Sequence, residues 1–328
     1  MAAKRPRWMK VLVALAILIV ILAAGYGLGP RPSIDTTMEF NAAILPEDLD
    51  VWLAETEGKV PDLRPGNGKE IVWAFPASRA RTPYSIVYVH GFSASPAEIR
   101  PVPDRVAKEL GANLFFTRLT GHGRGGDAMA SGSVRAWANN LAEAMAVGRR
   151  LGEKVIIVAT STGATLSTWG LSEPSIAEDV AGVVFVSPNY GVKAAGGSLL
   201  KGPWASQIIR LLMGERRSFE PRSEAHAQGW TTEYPSQSLV ALGGLLRLVD
   251  RVDIGQIKTP ALFIYSPADE VVDQSLTRDV IDDWGGSTQV IELSETGDPN
   301  NHVIAGDALS PQTNDAVING IQRWVKTL

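Results

Sequence analysis

The sequence predicts an α/β protein built around a mostly parallel sheet with helices on both faces. Short apolar runs alternate with helical patterns along most of the chain, an order that is typical of strand–helix–strand units. Several of these runs are apolar at every position, which indicates strands that are buried on both faces, as in a parallel sheet. The chain has 328 residues, enough to bury a full core without disulfides or metal ions.

The predicted elements follow one another in a regular order after residue 70. Strands are predicted at residues 71–75, 85–89, 113–117, 155–159, 180–186, 261–265 and 289–293. Helices are predicted at residues 97–110, 164–169 and 312–325. A further helix is expected after Ser133, because serine is a favoured N-cap and Trp137, Leu141 and Met145 recur at helical spacing. Ligands of such sheets bind beyond the carboxyl ends of the strands, so the residues after each strand are the first candidates for a site.

The N-terminal segment, residues 1–28, has the pattern of a signal anchor. Val11–Leu28 are 18 residues without a charge, close to the length that a helix needs to cross a bilayer. The basic residues that precede this run are Lys4, Arg5, Arg7 and Lys10. Because basic flanks stay in the cytoplasm, we expect a single-pass, membrane-anchored protein with its body on the periplasmic or extracellular side. A cleaved signal peptide is the alternative, because Ala23 and Ala24 are small enough for processing.

The remaining chain is expected to hold a tether at residues 29–69 and one domain at residues 70–328. The chain carries 31 Lys and Arg against 35 Asp and Glu, a net charge of −4, and several of its basic residues lie in the N-terminal segment. An acidic body repels a phosphate backbone, so nucleic acid is not an expected partner. The lack of cysteine excludes disulfides, thiol nucleophiles and thiolate metal sites.

A turn that could carry a nucleophilic serine follows the strand at residues 155–159. Ser161 stands in the sequence ATSTG, with Ala159 two residues before it and Gly163 two residues after it. A nucleophile elbow needs small residues at both places, because the turn brings a strand and a helix close together. Ala159 departs from the commoner glycine by one methyl group. The alternative is that Ser161 lies in an ordinary strand-to-helix turn or caps the helix.

A serine becomes a strong nucleophile when a histidine takes its proton and a carboxylate orients that histidine. His302 is the predicted base, because it lies between the last predicted strand and the closing helix. Structural or loop-ordering roles suit the other histidines better: His90, His122 and His226. Asp269 is the predicted acid, because it is the first carboxylate after the strand at 261–265. Three other carboxylates are rivals: Glu270, Asp273 and Asp298. Glu270 should point away from Asp269, and Asp298 could cap a loop.

The tetrahedral intermediate of acyl transfer needs two N–H donors for its oxyanion. The amide of Thr162, which follows the serine, is one candidate. The amide of Phe92 is the other, because Gly91 allows the backbone after the strand at 85–89 to turn its amides inward. Ser93 is a rival nucleophile in a near-match to the elbow, but Ser95 stands where that pattern needs glycine.

Five segments together resemble the α/β-hydrolase family over nearly all of residues 70–328. They are VYVHGF, which ends at Phe92, LTGHG at 119–123, ATSTG at 159–163, SPADEVVD at 266–273 and NNH at 300–302. Their order is most similar to the branch of monoacylglycerol lipases, lysophospholipases and carboxylesterases. The resemblance implies an eight-stranded, mostly parallel sheet with a helical cap, and it implies substrate-binding positions at His90, Gly91 and His122.

Residues 189–253 are the expected cap insertion. They contain no clear strand, but two apolar helices are predicted, one around residues 204–213 and one around residues 239–248. Apolar residues at helical spacing usually mean ordinary packing. A stretch of this length without strands is nevertheless typical of a lid, and its apolar residues together predict an acyl-sized hydrophobic pocket.

The sequence thus predicts a serine hydrolase that cleaves carboxylic esters through an acyl-enzyme, with Ser161, Asp269 and His302 as its triad. Lipid-like or other apolar acyl esters are the expected substrates. No metal or organic cofactor is expected, because no cluster of histidines and carboxylates has the spacing of metal ligands. Two alternatives stay open. A peptidase or acyltransferase could use the same triad, and a catalytically silent member of the family could act as a binding module.

Overall fold

The computed structural model describes residues 7–328 and contains a central sheet of seven strands. Two of the basic residues expected to flank the anchor, Lys4 and Arg5, lie outside the described residues. The strands of the central sheet are β1 (Glu70–Val72), β2 (Thr82–Val89), β3 (Asn113–Phe116), β4 (Gly152–Thr160), β5 (Val180–Val186), β8 (Ala261–Tyr265) and β9 (Thr288–Glu292). A separate antiparallel pair consists of β6 (Arg216–Ser218) and β7 (Glu233–Pro235).

Helices cover both faces of the sheet. The helices are α1 (Arg7–Gly27), α2 (Leu49–Glu57), α3 (Val102–Leu110), α4 (Val134–Leu151), α5 (Thr162–Ser172), α6 (Pro174–Ala177), α7 (Ala205–Met213), α8 (Glu224–Gly229), α9 (Leu239–Val249), α10 (Gln274–Asp283) and α11 (Asn314–Val325). Helices α4 and α5 contribute to the apolar core on one face, and α3 and α11 contribute to the core on the other. The expected layers of helix, sheet and helix are therefore present.

The predicted parallel sheet is confirmed, but its count of eight strands is wrong for the described residues. The strand order is β1-β3-β2-β4-β5-β8-β9, and β1 is antiparallel to its neighbour whereas the other pairs are parallel. The backbone pairing of β1 with β3 ends at Val72. The Trp73 indole donates to Asp50, and the Ala74 amide donates to the side chain of Asn113. No strand of residues 7–328 pairs with the outer side of β1.

The segment predicted as a tether, residues 29–69, packs onto the body of the protein. Asp48 caps α2 by accepting hydrogen bonds from two amides of its first turn. Leu45, Leu49 and Leu53 are buried in the core beneath α4 and the sheet. Leu49 and Leu53, which are one turn apart on α2, give this helix an apolar face against the domain, and Leu45 adds to the contact from the extended chain before it.

The apolar runs of the central strands explain why the sheet is sandwiched between helices. Ile86, Val87, Tyr88 and Val89 in β2 are all fully buried, so successive side chains enter the cores on opposite faces. Helix α4 lies so close to β2 that a Cβ at Gly148 would stand 2.6 Å from a methyl carbon of Val87. These contacts fix the strands whose carboxyl ends carry the site.

The residues between β5 and β8 lie over the carboxyl edge of the sheet. They include α7, α8 and α9 but also β6 and β7, two short strands that the expectation of a purely helical cap did not include. β6 is exposed throughout and contains only three residues, so it has no apolar periodicity to reveal it. α9 packs against α5, and Leu245 is fully buried in the main core.

Helix α1 projects from this body. Its stretch Trp8–Gly27 is long and apolar enough to cross a membrane, and none of it is buried. An N-terminal helix of this kind is either a membrane span or a signal sequence.

Candidate active site

Ser161 lies on a sharp turn between β4 and α5. Its backbone has φ 51° and ψ −114°, and such a positive φ strains a residue with a side chain by about 1–3 kcal/mol. The turn persists because its surroundings fix it: the Ser161 amide donates to the carbonyl of Val186 at 2.9 Å. A Cβ at Gly163 would lie 2.2 Å from the carbonyl oxygen of Val89, so only glycine fits there. The local geometry is that of a nucleophile elbow.

The structure brings the three residues of the predicted triad together. Nε2 of His302 lies 3.0 Å from Oγ of Ser161, and Nδ1 of His302 lies 2.7 Å from Oδ2 of Asp269. The other carboxylate oxygen of Asp269 accepts hydrogen bonds from the amides of Val271 and Val272. Because the carboxylate can only accept, the proton of the neutral imidazole resides on Nδ1, and Nε2 is free to accept the serine hydrogen.

The rival carboxylates have other partners. Glu270 forms a surface ion pair with Lys193 at 3.0 Å. Asp273 caps α10 by accepting from the amide of Ser275. Asp298 organises the histidine loop, because its oxygens accept from the amides of Asn300, His302 and Val303. Asp298 also pairs with Arg222 from the segment over the site. Among the carboxylates of residues 7–328, Asp269 is the one that bonds to the imidazole of His302.

Electrostatics at His302 favour its charged form. Burial has the largest single effect and lowers the pKa of the imidazole, whereas the charge and hydrogen bond of Asp269 and the charges of Asp298 and Glu98 together raise it. The net effect is a pKa above the ordinary histidine value. A base that gains a proton in the reaction is stabilised by such an environment.

Two backbone amides are available beside Ser161. The amides of Phe92 and Thr162 donate to no acceptor within residues 7–328. Both residues line a cavity that opens above Ser161. Thr162 is the first residue of α5, so its amide also lies at the positive end of the helix dipole. Donors of this kind can stabilise an oxyanion.

Glu98 is the residue of this region that the sequence reasoning missed. It is 3% exposed and accepts hydrogen bonds from the amide of Gly91 and the hydroxyl of Tyr88, both at 2.6 Å. Burial raises the pKa of Glu98 to about 7, although these two hydrogen bonds and the charge of His302 act in the opposite direction. Its position shortly after the HGF segment was the available signal, but nothing in the pattern marks that carboxylate as buried.

His90 and His122, expected beside the substrate, do not line the pocket. His90 joins two loops, since its Nε2 accepts from the amide of Leu119 and its Nδ1 lies 2.9 Å from the carbonyl oxygen of Gly91. The ring of His122 packs against those of Phe92 and His90. Burial keeps both histidines neutral: it lowers the pKa of His90 far below the ordinary value and that of His122 to about 4.

Gly91, also expected beside the substrate, lies behind the serine and not on the pocket wall. A Cβ at this position would stand 3.0 Å from Glu98 and 3.3 Å from Cβ of Ser161. Its amide is already bonded to Glu98. Gly91 therefore permits close packing of the loop that carries the Phe92 amide.

A cavity of about 380 Å³ opens above Ser161, within the size range of small-molecule sites. Its apolar walls come mainly from the segment between β5 and β8: Ile208, Leu212, Met213, Leu239 and Leu242. His226 also lines it, as a structural group whose Nδ1 accepts from the amide of Arg222. Within the described chain no three His, Cys, Asp or Glu side chains are grouped to hold a metal ion.

Comparison with known proteins identifies a distant relative in sequence and solved structures of the same fold. Over 190 residues the chain is 23% identical to a thermostable monoacylglycerol lipase of Bacillus sp. (strain H-257), covering 58% of this chain and 72% of that protein. The structure of a metagenome-derived lipolytic enzyme, LipS or LipT, superposes with a TM-score of 0.65 at 17% identity, covering 81% of this chain and all of the other. The monoacylglycerol lipase of Paleococcus ferrophilus gives 0.54 at 13% identity, covering 78% and 97%.

These structural similarities establish the fold, and they come from lipolytic enzymes. Residues 86–309, more than half of the chain, match the alpha/beta hydrolase family. The chain therefore belongs to the α/β-hydrolase family, and its distant homologues are monoacylglycerol lipases and esterases.

Proposed function

We propose that this protein is a serine esterase that hydrolyses lipid-like or other apolar acyl esters, with Ser161, His302 and Asp269 as its catalytic triad. The observation that carries the proposal is the pair of hydrogen bonds from His302, 3.0 Å to the Ser161 hydroxyl and 2.7 Å to the Asp269 carboxylate. Nucleophile, base and orienting acid are within the reach that general-base catalysis requires.

In the acylation step, Oγ of Ser161 attacks the carbonyl carbon of the ester while Nε2 of His302 takes the hydroxyl proton. The carbonyl oxygen becomes an oxyanion, which accepts hydrogen bonds from the amides of Phe92 and Thr162. Asp269 stabilises the imidazolium through Nδ1. Collapse of the intermediate breaks the bond to the alcohol, and the imidazolium returns its proton to the leaving oxygen.

In the deacylation step, a water molecule takes the place of the alcohol. His302 removes one proton from the water as its oxygen attacks the acyl carbon, and the same two amides hold the second oxyanion. The bond to Ser161 then breaks, and His302 gives the proton back to Oγ. The carboxylic acid leaves and the free enzyme is restored.

The substrate class is inferred from the cavity above Ser161. Its apolar walls suit a hydrocarbon chain, and its volume of about 380 Å³ suits a small lipid. The Bacillus relative is named a monoacylglycerol lipase, which supports the same class. We propose that residues 189–253 act as the cap that shields this acyl site from water.

We further propose that α1 is an uncleaved anchor that holds the domain on the periplasmic or extracellular side of a membrane. The apolar stretch Trp8–Gly27 is long enough to span a bilayer, and basic residues lie at its start. The intact mass of the membrane-extracted protein tests this proposal, because a cleaved signal peptide would shorten the chain at residues 23–25.

Labelling with a fluorophosphonate probe, followed by peptide mapping, tests the nucleophile. We expect the label on Ser161 and none in a Ser161→Ala variant, whereas Ser93→Ala keeps the label on Ser161. A panel of p-nitrophenyl esters, aminoacyl anilides and monoacylglycerols then separates esterase from peptidase activity. An unlabelled native protein would indicate a silent binding module, and full esterase activity of Ser161→Ala would refute the site.

A further inference from the structure

The end of α1 is joined to the helix that borders the pocket. The indole Nε1 of Trp204, which precedes α7, donates to the carbonyl of Gly25 in the last turn of α1 at 3.1 Å. The Trp204 amide donates to the carbonyl of Pro30 at 2.7 Å. Gly29 leaves room for the ring, since a Cβ there would lie 2.0 Å from the indole nitrogen. The start of α7 therefore lies beside the last turn of α1.

Helix α7 exposes apolar side chains close to this junction. It buries Ala205 and Ile209, whereas Leu211 is 83% exposed and Leu212 is 67% exposed. The helix has nine residues and is about 13 Å long, so these leucines lie within roughly that distance of Trp204. Neighbouring large apolar side chains exposed in this way mark a surface that meets a partner or a membrane.

An arginine cluster lies beside the same junction. Arg31 directly follows Pro30, and Arg247 on α9 donates to the carbonyl of Pro32 at 2.8 Å. Arg31 adjoins Pro32 in the chain and Arg251 follows Arg247 by four residues, so the three cations lie near one another. Burial, and then the charges of Arg251 and Arg31, lower the pKa of Arg247. Within residues 7–328 none of the three forms an ion pair with a carboxylate. Their charge is available to an anionic partner.

The pocket reaches this part of the surface through α7. Ile208, Leu212 and Met213 line the cavity above Ser161, while Leu212 is also largely exposed. One helix thus borders both the acyl site and the apolar surface beside α1. A ligand that enters along α7 meets apolar side chains from the surface to the cavity.

We propose that this juxtamembrane face rests on the surface of a bilayer that contains anionic lipids and directs the pocket towards it. The juxtamembrane face consists of Arg31, Trp204, Leu211, Leu212, Arg247 and Arg251. Tryptophan favours the membrane interface, an apolar helix side is buried at the boundary of head groups and acyl chains, and clustered arginines attract anionic head groups.

The inference goes beyond ester hydrolysis, and it rests on the proposed insertion of α1. Once α1 spans the membrane, docking of the face is an intramolecular step, so modest attraction is enough to favour it. A lipid ester then passes from the bilayer along α7 to the reactive serine without crossing bulk water.

A single fluorophore reports docking cleanly, because the chain has no cysteine of its own. Full-length Leu211→Cys protein, labelled with the environment-sensitive dye NBD, is reconstituted in phosphatidylcholine vesicles with or without phosphatidylglycerol. We expect blue-shifted emission and quenching by nitroxide-labelled lipids, both stronger with phosphatidylglycerol. The same dye at Val290→Cys, a site 43% exposed on the edge strand β9, should keep the emission of a water-exposed dye in both vesicles.

Charge variants test the arginine cluster. Arg31→Gln with Arg251→Gln should lower the ratio of docked to free face roughly 30-fold in phosphatidylglycerol vesicles, at the usual contribution of a basic residue near an anionic surface. The matched control is Arg323→Gln with Lys326→Gln at the exposed end of α11, which packs on the opposite face of the sheet and should leave docking unchanged. Both pairs should hydrolyse a short, water-soluble ester like the native protein.

Hydrolysis of the soluble ester separates the two proposals. If the native protein does not hydrolyse this ester, the esterase proposal is overturned and the docking proposal is unaffected. Water-like emission from residue 211 in both vesicles, with α1 present by intact mass and resistant to carbonate extraction, would overturn the docked face. Equal blue shifts with and without phosphatidylglycerol would overturn the role of the arginines. Failure of α1 to insert would overturn the anchor and this inference with it.

Discussion

The carboxylate of Glu98 accepts a hydrogen bond from the amide of Gly91 at 2.6 Å, directly behind the loop that presents the amide of Phe92. The same oxygen accepts from the hydroxyl of Tyr88 at 2.6 Å, and that hydroxyl lies 2.9 Å from Oγ1 of Thr160. One buried side chain thus connects the loop of one candidate oxyanion donor with the turn that carries the other. We therefore expect Glu98 to help set the spacing of the two donors.

Replacing Glu98 with alanine should therefore lower kcat about 10²-fold while KM changes little, because misplaced donors weaken binding of the transition state more than of the ester. Glu98→Gln retains an oxygen that accepts from Gly91 and should restore most of kcat. Steady-state kinetics on a p-nitrophenyl ester measure both parameters. Equal kcat values for the alanine and glutamine variants would contradict this positioning role.

The pH profile should follow His302, which must be neutral to accept the proton of Ser161. Burial lowers the pKa of His302, but Asp269, Asp298 and Glu98 together raise it above the ordinary value. We expect kcat/KM to fall on the acid side with a midpoint above the ordinary value of about 6.5. Glu98 carries part of a negative charge near its own pKa of about 7, and Glu98→Gln removes that charge, so the midpoint of the variant should lie at lower pH. A midpoint that does not move would show that Glu98 is not coupled to the imidazole.

Stability should also depend on the protonation of Glu98. Its pKa is about 7 in the folded protein against 4.5 as the ordinary value, so between these values the folded state binds more protons than the unfolded state. The free energy of unfolding therefore decreases as pH rises through this window. Urea denaturation on either side of it should show Glu98→Gln gaining stability relative to the native protein at the higher pH. The opposite trend would mean that Glu98 is ionised in the fold at low pH.

The spacing of apolar residues along the chain correctly predicted most of the strands and helices that are buried in the core. The predicted strands at residues 180–186 and 261–265 coincide with β5 and β8, because a strand buried on both faces is apolar at every position. Ser133 caps α4 as expected. The helix predicted to begin at residue 97 begins at Val102 instead, because prolines at 101 and 103 lack the amide hydrogens that a helix interior needs.

Pairings between distant segments were beyond local pattern. Asp50 in α2 accepts from Trp73, and Arg222 pairs with Asp298 across the site, yet no spacing along the chain signals either contact. The triad could be assigned because its members follow strands of the parallel sheet, whose carboxyl ends lie at one edge. Ser161 and Asp269 follow the buried strands β4 and β8, and His302 follows the edge strand β9. Glu98 could not be assigned from the sequence, because its burial depends on how the loop after β2 folds beneath Ser161.

Asp269 and Asp298 provide a test that separates orientation of the base from order in its loop. Asp269→Asn leaves a carboxamide against Nδ1 of His302 and should lower kcat about 10⁴-fold, as loss of the correct tautomer does in other triads. Asp298→Asn retains an oxygen for the loop amides but loses the charge paired with Arg222, so we expect a lower melting temperature and a much smaller change in kcat. Kinetics and thermal melts of both variants measure these effects. If Asp298→Asn lost most of its kcat and Asp269→Asn mainly lowered the melting temperature, the acid would be assigned to Asp298.

The elbow itself should respond oppositely to two changes of one methyl group. A Cβ at Gly163 would lie 2.2 Å from the carbonyl oxygen of Val89 and 2.7 Å from that of His90. Both are backbone atoms of the strand and loop that support the site. Gly163→Ala should therefore force α5 away from β2, destabilise the fold by about 3 kcal/mol and abolish labelling of Ser161.

Ala159→Gly is the matched control, because it restores the commoner glycine and removes a methyl group from a fully buried position. Its expected cost is only about 1 kcal/mol, from the greater freedom of the unfolded chain, and fluorophosphonate labelling should continue. Thermal melts and labelling of the two variants decide the matter. A Gly163→Ala protein that melts and reacts like Ala159→Gly would show that the close approach of α5 to the end of β2 does not hold the serine in place.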